Sequence, residues 1–208
     1  MMSGVSSRTA GDVGTDRFTR LGIGVTIVVV LAGAVAQLIS YRFFGQRIQA
    51  LDARSDGGVV GAIGDVALAA AAVAAWILAA RVRSARLVPV VLAVLLTFLA
   101  ADKVVGLHDD IPHWLAFYLP VLLATFICLV AVGRGPAGMD RLIGTGLALL
   151  AFSFLLHLFG ERLLLGLGAG NTTGLAYELK AVVKHGTEVA GYLLIALGLF
   201  RLGFRHNS

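Results

Sequence analysis

The residues of this chain that could do chemistry are His, Asp and Glu side chains set inside or at the ends of apolar stretches. They are Asp65, Asp102, His108, Asp109, His157, Glu161, Glu178, His185 and Glu188, accompanied by Lys103, Arg162, Lys180 and Lys184. A charge at the centre of a membrane helix costs about 2.5–3.5 kcal/mol on insertion scales, so such residues pair, face the bundle interior or sit near an interface. At about 100° per residue their spacing forms stripes. His157 and Glu161 are one turn apart, and Ser153 extends the row. Glu178 and His185 are seven residues apart and almost eclipsed, as are Asp102 and Asp109. Glu188 follows His185 by three, Tyr192 lies near the same face, and Lys180 points away from Glu178.

Mixed imidazole and carboxylate donors suit a divalent metal such as Zn, Fe or Mn. The expected ligands are Asp102, His108, His157, Glu161, His185 and Glu188, with Glu161 or Glu188 as general base beside a metal-bound water. Asp65, Asp109, Glu178 and Tyr192 would complete the polar cluster. This points to a metal-binding membrane enzyme, a hydrolase or oxidase acting on a lipid-like substrate or small molecule. Two other readings stay open: a transporter or proton- or ion-coupled carrier, which needs a polar path across the membrane, and a non-catalytic interaction or sensor subunit held by a structural ion-pair network. The acids named outnumber the Lys and Arg by two; a divalent cation or protonation would neutralise the excess. The Glu-x-x-His pairs of di-iron bundles are absent, as are H-E-x-x-H and C-x-x-C. Some of these residues have plainer readings. Asp109 and Asp110 precede Ile111-Pro112 as helix-capping residues do, His113 suits an interface, and Lys103 and Arg162 can extend to the headgroups. Asn171-Thr172-Thr173 is a glycosylation sequon that reads more simply as loop or cap chemistry.

The elements that must position these groups follow from composition. Of 208 residues, 58% are hydrophobic and 14% charged, against about 25% charged in soluble domains, and mean hydropathy is +0.90. The apolar residues come in blocks near the length that spans a bilayer. Six such segments lie at roughly 20–43, 58–80, 87–108, 113–133, 142–166 and 176–200. The expected fold is an all-α polytopic transmembrane bundle over 20–202, with a flexible cytoplasmic tail at 1–19 and a short one at 203–208. The first segment could pass for a secretory signal ending at Ala34-Val35-Ala36, but its apolar run continues to Phe43, which favours a retained helix.

Lys and Arg in the loops set the orientation. Arg8, Arg17, Arg20, Arg81, Arg83, Arg86, Arg134, Arg141, Arg201 and Arg205 fall on one side; Arg42, Arg47, Arg54 and Arg162 fall on the other. Both termini are therefore expected in the cytoplasm, in a bacterial plasma membrane. With that orientation Asp65, Asp102, His108, Asp109, His157, Glu161, Glu178, His185 and Glu188 all fall in the outer half of the bundle. The net charge of +5 reflects Arg at helix ends, facing anionic headgroups, with no nucleic-acid motif beside it. Cys128, the single cysteine, excludes an intrachain disulfide and a Cys-rich metal site. The alanine-rich second segment and Gly144, Gly146, Gly166, Gly168 and Gly170 around the fifth point to close helix packing.

Overall fold

Each apolar block forms one continuous helix. The structure, a computed structural model, describes residues 10–44, 58–82, 87–106, 114–135, 138–166 and 175–205. The helices are α1 (Ala10–Phe44), α2 (Val59–Arg81), α3 (Leu87–Val105), α4 (Trp114–Gly133), α5 (Arg141–Gly166) and α6 (Leu175–Arg205). All six contain a stretch long and apolar enough to cross a membrane, with mean hydropathies from 1.4 to 2.6. The protein is thus an all-α polytopic membrane bundle. Its boundaries depart from expectation mainly at the chain ends. Residues 10–19, expected as flexible tail, continue α1, and α6 runs on to Arg205. Extending a formed helix adds a hydrogen bond per residue fixed, so helices outrun their apolar cores. His108, Asp109, Asp110, His113, Arg83, Arg86 and the Asn171 sequon lie outside the described residues.

The last helix is the centre of the bundle: α6 packs on α1, α2 and α5, while α3 docks on α2 and α4 on α3. Small residues allow this crowding. The buried face of α2 carries Ala67, Ala71, Ala72, Ala74, Ala75 and Ala79, with Leu68 and Leu78 between them, so α3 and α6 can approach its backbone from two sides. Between α5 and α6 the approach is closer still. A Cβ on Gly146 would lie 2.8 Å from the Gly191 carbonyl oxygen, and one on Gly191 would lie 3.0 Å from that of Gly146. Only hydrogen fits at either position. Around these contacts lies an apolar cluster in which Leu92, Ile143, Ile195 and Leu199 are fully enclosed.

The bundle is also apolar outside. Leu21, Val28, Val66, Val104, Phe117 and Leu163 are all more than half exposed, as a surface in contact with hydrocarbon requires. Between α4 and α5 the chain turns through a minimal hairpin, β1 (Arg134–Gly135) paired antiparallel with β2 (Gly138–Met139). Gly138 has φ +99°, a backbone conformation open in practice to glycine alone. Asp140 then starts α5: its Oδ1 accepts from the backbone N–H of Leu142 at 3.0 Å and of Ile143 at 3.3 Å, which is N-cap chemistry.

Candidate functional site

Adjacent helix positions point about 100° apart, and Asp102 and Lys103 near the end of α3 serve different neighbours. Lys103 turns inward between α2 and α6. Its Nζ donates to Glu188 Oε1 at 2.6 Å and lies 4.0 Å from Asp65 Oδ1. The amine sits 5.4 Å from the centre of the Tyr192 ring, within cation–π range. Glycine at position 64 makes room for it, since a Cβ there would stand 3.3 Å from Nζ. The second oxygen of Glu188 faces His185, with Oε2 3.6 Å from Nδ1. That is long for a hydrogen bond but close enough for an ion pair when the imidazole is protonated. Side chains of α2, α3 and α6 thus meet around a single ammonium, each between 18% and 26% exposed. Lys103, expected to reach for the headgroups, is instead the hub of the network. Two carboxylates within reach hold it more strongly than one distant phosphate layer could.

Asp102 turns the other way, towards α4. It is 5% exposed and accepts a short hydrogen bond from the Tyr118 hydroxyl. Tyr118 is itself buried and stacked on Phe98, with Phe117 edge-on. Glu178 joins a third pair of helices. Its Oε2 accepts from Gln37 Nε2 of α1 at 2.8 Å, with both residues buried. Glu178 and His185, almost eclipsed on α6, therefore face different partners, because α6 is wrapped by three helices at once.

The seam between α5 and α6 carries the remaining groups. Ser153 Oγ donates to the Lys184 carbonyl at 3.0 Å. The stem of Lys180 lies across Gly160, and its Nζ sits 4.5 Å from the Tyr177 ring centre. His157 is exposed yet within electrostatic range of Lys184, Lys180, Glu188 and His185. Glu161 and Arg162 face outward. Of the expected metal ligands, His185 and Glu188 come together and His157 stands near them. Asp102 is engaged with Tyr118, Glu161 is on the exposed side of α5, and His108 is outside the described residues. Among the described residues no group of three or more His, Cys, Asp and Glu side chains is placed to hold a metal ion.

A polar pair missing from the sequence reading closes the opposite end. Arg201 of α6 donates a short hydrogen bond to Asp140 Oδ2, whose other oxygen caps α5. The Asp140 side chain is 6% exposed and that of Arg201 17%. An Asp just ahead of an apolar run is a helix-start signal that could have identified Asp140; its pairing with a residue 61 positions later leaves no local trace. No protein-family model, curated protein or solved structure matches this chain.

Proposed function

We propose that this protein is a non-catalytic membrane interaction or sensor subunit whose charge cluster, on the outer side of its bundle, binds a partner helix. The observation that carries the reading is Lys103, held between Glu188 and Asp65 with His185 against the far oxygen of Glu188. Two carboxylates set against one ammonium leave a net negative charge in a poorly solvated place where α2, α3 and α6 meet, a charge that a cationic residue of a partner helix would neutralise. Towards the other face the buried apolar cluster includes Leu68, Ala71, Leu92, Leu96 and Ile195, with the Asp140–Arg201 pair beyond it. An apolar layer between the two polar sites favours an interaction or sensing element over a conducting path. The test is native mass spectrometry of the full chain purified in native nanodiscs. The wild type is expected to carry a stable membrane partner that Lys103→Met releases while the variant keeps the wild-type helical circular dichroism. A wild type that runs free of any partner, or a folded Lys103→Met that keeps it, sinks the idea.

The pairing of His185 with Glu188 on α6, within electrostatic reach of His157 on α5, favours a second reading. In it these residues bind Zn, Fe or Mn in a hydrolase or oxidase for lipid-like substrates, with Glu161 or Glu188 as general base. Metal analysis of mildly purified protein distinguishes the two. Near-stoichiometric metal that disappears in both His157→Ala and His185→Ala supports the enzyme; a metal-free wild type counts against it. A proton-coupled carrier would instead show flux in proteoliposomes that Glu188→Gln abolishes.

A further inference from the structure

We propose that the cleft between α4 and α5 binds one anionic phospholipid, its acyl chain lying along the cleft and its phosphate on Arg134. α4 packs chiefly on α3, which leaves its seam with α5 open as a cleft of about 380 Å³. On α4 the cleft is lined by Phe126 and Val130, one helical turn apart. Arg134, in β1 just past the end of that helix, places a guanidinium at the end of this apolar wall. The facing wall of α5 includes Ala148 and Ala151, whose small side chains give the cleft its width. Arg134 is exposed in the hairpin where α4 ends, and among the described residues no carboxylate pairs with it. The acid closest to the hairpin, Asp140, is already taken by Arg201 and by the cap of α5.

A cation with no carboxylate partner among the described residues, at the mouth of an apolar groove between two membrane spans, matches a phosphodiester with its acyl chain attached. A free phosphate would leave the groove unused, and a zwitterionic lipid would bring its own cation to the phosphate. The experiment uses the full chain, purified and delipidated in detergent, then equilibrated with equal amounts of phosphatidylglycerol and phosphatidylcholine and read by native mass spectrometry. The wild type is expected to retain one phosphatidylglycerol in preference to phosphatidylcholine. Arg134→Gln should lower that preference about fivefold, the worth of one interfacial cation, and Arg134→Lys should retain it. Ala148→Leu combined with Ala151→Phe, at two exposed positions, should displace the lipid by filling the groove. Excess inorganic phosphate should not compete. The proposal is overturned if Arg134→Gln keeps the full preference, if the filled cleft still holds phosphatidylglycerol, or if phosphate alone displaces it.

Discussion

An ammonium held 2.6 Å from one carboxylate and 4.0 Å from another is costly to remove alone. Lys103→Met strands Glu188 and Asp65 together in a low-dielectric site, and breaking such a pair costs on the order of 3 kcal/mol. Lys103→Met with Glu188→Gln removes one of the two stranded charges, the one that lay 2.6 Å from the ammonium, and should recover part of that loss. Chemical unfolding in detergent reads both, and additive losses would show that the two side chains do not act as a pair. Asp140→Ala removes an N-cap, worth about 1 kcal/mol, and also leaves Arg201 uncompensated. It should therefore destabilise the bundle more than Arg201→Met, which keeps the cap. At this scale the sequence was only partly legible. It marks Asp65, Asp102, His157, Glu161, Glu178, His185 and Glu188 alike as groups that pair, face the interior or lie near an interface; only the fold separates buried Asp102 and Glu178 from exposed His157 and Glu161. It could not say whether Asp102 or its neighbour Lys103 would meet α6. One helical step separates them, and the choice rests on which neighbour each side of α3 faces.

At the scale of the elements, six blocks of near-bilayer length were enough to place the spans. Block length is a property of local sequence, and the helical hydrogen bonds that follow from it are local too. Which glycines matter was less legible. Gly146 lies among those flagged around the fifth segment, but Gly191 acquires meaning only from the carbonyl opposite it on α5. Gly191→Leu must push the two helices apart, because a Cβ there already meets Leu150 Cγ at 2.7 Å and the Gly146 carbonyl oxygen at 3.0 Å. Overpacking of this kind costs about 1–3 kcal/mol. Gly24, where nothing lies within 4 Å of a Cβ, is the control: Gly24→Ala should melt at the wild-type temperature or slightly above, since alanine favours helix. Equal effects at the two positions would show that the α5–α6 contact is not limiting. The stripes on α6 were read as one site because residues seven apart share a face. They proved to be several contacts, because a helix surrounded by neighbours can give successive turns of one face to different partners.

At the scale of the whole molecule, six crossings return both ends of the bundle to the same side. The positive-inside bias of the loop arginines predicts that this side is the cytoplasm. In a Cys128→Ala background, Gly135→Cys in the hairpin should resist an impermeant maleimide in intact cells and react after permeabilisation. Leu175→Cys, at the opposite end of the bundle, should react in intact cells. The reverse pattern would invert the assignment and would move the Lys103 network to the inside.

The central place of α6 also sets an order of events during synthesis. The helix that touches α1, α2 and α5 is the last of the six to leave the ribosome. Until it arrives, α2 and α3 can bring Asp65 and Lys103 together as a hairpin, but Gln37 has no Glu178, Asp140 has no Arg201 and the glycine seam has only one side. The earlier helices must wait in the membrane, half assembled and exposing polar groups to lipid or to the insertion machinery. A chain halted before Leu175 would present those unmet groups together, in a form that membrane quality control can recognise.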